Sequence, residues 1–235
     1  MEMNQNQIME LLDALYEKSI NGIPKLSQPI DVLANDYLSK NNSTEKAARQ
    51  FVNYQVAKCT TSGFVTGLGL ITLPVTIPAN VSSVMYVQMR MIACLAYMGG
   101  YDTSSDQVQT LVYACLAGIS IDQIIKQAGI KFGTKFTTAM VKKIPSTVLT
   151  KINQKVGFRF LTKFGEKGII NIAKLVPVVG GVIGGGFDLV ETKVIANRAY
   201  KMFIKGDLSA LDDKDNEKII DTAADIIKSQ DESDN

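Results

Sequence analysis

The sequence predicts an all-α protein: a single helical domain around a central apolar hairpin broken by glycine and proline, with no sheet. Two observations carry that prediction. Apolar residues recur at three- and four-residue spacing along most of the 235 residues, and no stretch shows the sustained apolar/polar alternation that announces strands. Glycine and proline gather at a few places, such as Asn21-Gly22-Ile23-Pro24 and Gly99-Gly100, that cut the chain into helix-length pieces.

Taken in order, the pattern predicts helices near 4–20, 28–38 and 44–60, the last with Ser43 as its N-cap. Between Lys58 and Arg90 come 31 residues without a charge, long enough to cross a bilayer by the rule of about 20 residues per span. Pro74 and Pro78 break that stretch near its middle, and Gln88 with Arg90 interrupts its second half. A hairpin of two apolar helices, about 60–72 and 79–98, packed into a protein core rather than lipid, fits better. On its second arm Ser83, Tyr86, Arg90 and Tyr97 share one helical stripe. A helix near 104–117 follows, then a short one from Ser120 to Ala128 with Ser120 as N-cap. The uncharged block from Leu175 to Phe187 repeats glycine at four-residue spacing, which suits close helix packing. The helix after it should pass through Asp188, Glu191 and Arg198 and stop near Gly206. These pieces divide the chain into N-terminal helices (1–42), a helical domain (43–206) and an acidic C-terminal segment (207–235).

Composition narrows the chemistry. There is no His and no Trp. That removes Ser-His-Asp and Cys-His catalysis, imidazole acid/base chemistry and every His-containing metal site. Cys59, Cys94 and Cys115 stand far apart in apolar segments with no CxxC pairing, as in a reduced chain. The start, Met1-Glu2-Met3-Asn4, lacks the basic and apolar regions of a signal peptide, so a cytoplasmic protein is expected. Gly63, Gly67 and Gly69 lack the preceding strand and following Gly-Lys-Ser/Thr of a phosphate loop.

Charge is polarised although the total is only +2. Residues 126–174 hold eleven basic residues against Glu166, and 207–235 hold ten acids against three lysines. Within the basic run Lys151, Lys155, Arg159 and Lys163 recur every four residues, opposite an apolar side of Leu149, Ile152, Val156, Phe160 and Phe164. Upstream, Phe132, Phe136 and Met140 alternate with Lys131, Lys135, Lys142 and Lys143. Cations beside aromatic anchors suit an anionic lipid surface. Nucleic acid is disfavoured, because no recognised binding motif accompanies the charge.

Several motifs are familiar as a set. Thr66-Gly67-Leu68-Gly69, Thr72-Leu73-Pro74, Ile77-Pro78, Gln88-Met89-Arg90 and Gly100-Tyr101-Asp102 resemble, in order and spacing, the central motif of the bacterial EcsC family. Val176-Pro177-Val178-Val179-Gly180 with Gly184-Gly185 resembles that family's C-terminal signature, so the resemblance spans about 45–205. Where members of the family often carry an acid after the first proline, this chain has Val75-Thr76. The resemblance implies a helical domain and no assigned activity; the family takes its name from a gene beside an exporter operon.

The sequence therefore predicts a non-enzymatic helical protein at the inner face of the membrane, held there through the basic amphipathic region 131–167, with no cofactor and no metal. One alternative is an adaptor for a membrane protein such as a transporter subunit. Another is an enzyme using Arg90 and nearby acids. Gln88, Arg90, Asp102, Asp188 and Glu191 are the candidate ligand or partner residues, because a guanidinium in an apolar helix demands a carboxylate or several hydrogen bonds. A structural pairing of Arg90 with one of those three acids is the favoured expectation.

Overall fold

The computed structural model describes residues 4–59, 79–130, 135–164 and 185–208. These are helical with no strand, in agreement with the all-α expectation. The helices are α1 (Gln5–Asn21), α2 (Ile30–Ser39), α3 (Thr44–Cys59), α4 (Ala79–Met98), α5 (Asp106–Ala117), α6 (Asp122–Gln127), α7 (Thr138–Val141), α8 (Ser146–Phe164) and α9 (Gly185–Ala199). A π-helical turn, Tyr200–Ile204, continues α9.

The helix starts follow local chemistry. Asn4 and Gln7 form a reciprocal capping box on α1, each side chain accepting the other's backbone N–H at 2.9 Å. Ser43 caps α3 as expected, its hydroxyl accepting the Lys46 N–H at 3.2 Å. The fifth helix starts two residues later than its periodicity suggests. Asp102 gathers Ser104 into a tight turn, and Ser105 becomes the cap. Ser120 does not cap α6; its hydroxyl donates to the Asp122 carboxylate, and the helix begins at Asp122.

The second arm of the expected hairpin is α4, the centre of the molecule. From Ser83 to Met98 nearly every residue is buried or half-buried, because α1 and α2, α3, α5, α9 and the π turn all pack on it. Its apolar length is thus consumed by protein, and no described helix is long and apolar enough to cross a membrane. The first arm, 60–72, and the glycine block 175–184 lie outside the described residues.

A second layer forms behind α1 and α5, where α8 lies across both. Leu149, Ile152, Val156 and Phe160 of α8 enter the same core as Ile8, Leu11, Leu12 and Leu15 of α1. The helices of 1–42 therefore share one core with those that follow. Two glycines mark where backbones meet. A Cβ on Gly22, at φ +77°, would strike the Ser27 carbonyl, and one on Gly99 would strike that of Phe203.

Candidate functional site

Two polar constellations were legible in the sequence, and the structure treats them differently. On α4, Arg90 donates from one guanidinium nitrogen to the Ser19 carbonyl at 2.8 Å and from the other to the Gln28 carbonyl. Ser19 sits in the last turn of α1, where carbonyls lack helical partners and carry the negative end of the dipole. One turn earlier on α4, Tyr86 Oη lies 2.6 Å from Ser27 Oγ, and the Tyr86 carbonyl accepts from Ser19 Oγ at 3.5 Å. Arg90 and Tyr86 thus fasten the α1–α2 turn from both ends.

Arg90 is thus held by two backbone carbonyls, and of the three acids expected as its partner only Asp102 has a described side chain. Asp102 is engaged locally, accepting the Ser104 hydroxyl at 2.6 Å and the Ser104 N–H at 3.0 Å. Those hydrogen bonds, hydroxyl first, hold its carboxyl below the usual range. Gln88, 3% exposed, donates to Thr192 Oγ1 at 3.2 Å and ties α4 to α9. The side chains of Asp188 and Glu191 lie outside the described set. The structure does not bring Gln88, Arg90 and Asp102 to one open site. Cys94 and Cys115 are buried, which pushes each thiol up to about 12 and away from the reactive thiolate.

The basic face has the opposite character. Lys142, Lys143, Lys151, Lys155 and Arg159 are all exposed, as is Lys135. Lys131 and Phe132 lie outside the described residues, as do the side chains of Lys163 and Phe164. Two expected anchors are corrected. Phe136 is 4% exposed and Phe160 3%, so neither is available to a membrane. Phe136 stacks on Tyr101 with ring centroids 6.1 Å apart, while its N–H meets the Gly206 carbonyl at 2.7 Å. Phe160 sits on the apolar stripe of α8 and is taken into the core.

The aromatic residue left outside is one the sequence reading passed over. Phe158 is 66% exposed, the most exposed large apolar residue described. A signal for it existed. Phe158 falls off the 149/152/156/160 stripe and lies beside Lys155 and Arg159 on the polar side of the helix. Helix α6 also went unnoticed as a partner of α8. Between them runs an open groove of about 540 Å³. Its α6 side is formed by Ile124 and Gln127, with Ile119 just before the helix; its α8 side carries Lys151, Gln154, Lys155, Phe158, Arg159 and Thr162.

Among the described residues, no acid lines this groove. The nearest acid in sequence, Asp122, pairs with Lys126 at 2.8 Å. Burial raises its carboxyl, but the hydrogen bonds from Lys126, Ser120 and the Gln123 N–H outweigh burial and leave it below the usual range. Two other cations of the run have acidic company, since Lys142 lies within the field of Asp102 and Lys135 within that of Glu45. Among the described residues, no carboxylate forms an ion pair with Lys151, Lys155 or Arg159. Of the described cations in the expected basic region, Lys151, Lys155 and Arg159 gather at one groove.

No family model matches this chain, and neither a curated protein nor a solved structure does. Of the motifs that resemble the EcsC family, 66–78 and 176–184 fall outside the described residues, and the described part, Gln88, Arg90 and Gly100 to Asp102, serves packing and turns.

Proposed function

We propose that this is a non-enzymatic, EcsC-like helical protein that associates peripherally with anionic membrane at the cytoplasmic face, through α8 and the groove beside it. One observation carries the reading: Lys151, Lys155 and Arg159 surround an exposed Phe158, and among the described residues no carboxylate pairs with these three cations. Each basic residue held near an anionic bilayer contributes about 1 kcal/mol, and an aromatic ring beside them can enter the headgroup layer. Arg90, on which an enzymatic reading with nearby acids would centre, is already engaged by two backbone carbonyls.

Co-sedimentation with vesicles of graded anionic lipid content, at low and high salt, tests the reading. Binding should rise with anionic fraction and fall with salt. Absence of binding at low salt and high anionic content would overturn it.

A further inference from the structure

The exposed cations of α8 border an open groove against α6. Lys151, Lys155 and Arg159 stand at successive helical turns, about 6 Å apart along α8. On the other side lie Ile119 and Ile124, and Phe158 stands among the cations. Cations along one edge and apolar side chains along the other suit a ligand that is anionic at one end and apolar at the other. The groove, about 540 Å³ and open to solvent, leaves one side of such a ligand exposed.

We infer that the α6–α8 groove seats a single lipid bearing a phosphate monoester, of the phosphatidic acid type, with its phosphate on Lys155, Arg159 and Lys151 and its first acyl carbons along Phe158, Ile119 and Ile124. This rests on the membrane reading above and sharpens it from a surface to a site. Arg159 offers a planar fork suited to two phosphate oxygens, and two lysines add point charges for the remainder. A monoester carries up to two negative charges and three acceptor oxygens, whereas a diester headgroup carries one charge and two free oxygens.

The absence of histidine gives the inference a distinctive readout. Among the described residues, the charged groups lining the groove are Lys151, Lys155 and Arg159 from α8, and the two charged residues of α6, Asp122 and Lys126, pair with each other. None of these side chains has an ordinary pKa between about 5 and 8. The second ionisation of a phosphate monoester falls near 6. Affinity for a monoester therefore tightens as pH rises from 5.5 to 7.5, while affinity for a diester stays level.

The test uses the full chain titrated with dihexanoyl phosphatidic acid below its micellar concentration, followed by calorimetry. Dihexanoyl phosphatidylglycerol and inorganic phosphate serve as the comparison ligands. The expected result is saturable one-to-one binding of the monoester lipid, tighter at pH 7.5 than at 5.5, with the diester and inorganic phosphate each weaker by about tenfold or more. The pair Lys155→Gln and Arg159→Gln should weaken it by about tenfold or more, and Phe158→Ser by about fivefold, while Lys142→Gln with Lys143→Gln leaves it unchanged. All these positions are exposed, so a thermal melt shows that each variant folds.

Equal affinity for monoester and diester, or no pH dependence, would overturn the inference. Inorganic phosphate binding as tightly as the lipid would mark a free-anion site and overturn the lipid assignment. Vesicle binding without soluble-lipid binding would remove the seat and leave the surface reading standing. Failure of both would remove both.

Discussion

Arg90 on α4 and Arg159 on α8 belong to helices of similar length, 20 and 19 residues, each with an arginine among apolar neighbours. Their fates differ. Arg90 is half-buried, and its guanidinium is spent on the Ser19 and Gln28 carbonyls at the α1–α2 turn. Arg159 is exposed beside Lys155 and Phe158 at a groove that no described acid lines. Burying a cation is costly unless it is paired, so a buried arginine reports how the chain folds. Exposed cations standing together repel one another, so their grouping adds nothing to the stability of the fold. The arginine that looks more unusual in the sequence is tied to backbone carbonyls, while the one in a plain amphipathic helix is exposed at a groove.

Adjacent phenylalanines break that comparison most sharply. Phe160→Ala empties a buried site and should cost about 3–5 kcal/mol, read by chemical denaturation. Phe158→Ala, two residues away, should change stability by less than about 0.5 kcal/mol and weaken vesicle binding. Equal effects of the two on stability would erase the distinction between the faces of α8.

Next in size is Arg90→Ala, which strips two carbonyls of a charged donor and should destabilise by about 2–3 kcal/mol while vesicle binding by the folded fraction stays unchanged. Loss of binding in a folded Arg90→Ala protein would return that residue to the functional list. Thr192→Val leaves Gln88 Nε2 without its buried acceptor and should cost about 1–2 kcal/mol, less than the Arg90 change.

The smallest effect is acid sensitivity at the Asp102 turn. The carboxyl of Asp102 lies below its unfolded value, so its contribution is fully present above about pH 4 and is lost as pH falls through the lower folded value. Because the group is exposed, the change should be slight. Comparing Asp102→Asn with the unaltered chain by urea denaturation at pH 7 and pH 3 checks it, with the gap between them narrowing at pH 3.

Much of the fold was legible because it rests on local pattern. The periodicity of α1, α3 and α8, the cap at Ser43 and the buried stripe of α8 follow from side-chain spacing and capping chemistry. What escaped depends on distant backbone. Nothing in the sequence marks the Ser19 and Gln28 carbonyls as acceptors for Arg90, since every residue carries a carbonyl. Phe136 was read as an anchor from neighbouring lysines, yet Tyr101 and Gly206, far off in sequence, draw it inside. The groove combines residues around 119–127 and 151–162, a juxtaposition that only the packing of α6 on α8 creates. The exposure of Phe158 could have been found by asking which aromatic residue of α8 lay off its apolar stripe.

The most direct measurement pairs vesicle co-sedimentation with thermal melting for one variant, Lys151→Glu/Lys155→Glu/Arg159→Glu. An unchanged melting temperature together with lost binding to anionic vesicles is the predicted result, because these cations are exposed, serve no described ion pair and face the groove. Full binding by the folded variant, or a large drop in its melting temperature, would show that the face of α8 belongs to the fold and that the membrane reading is wrong.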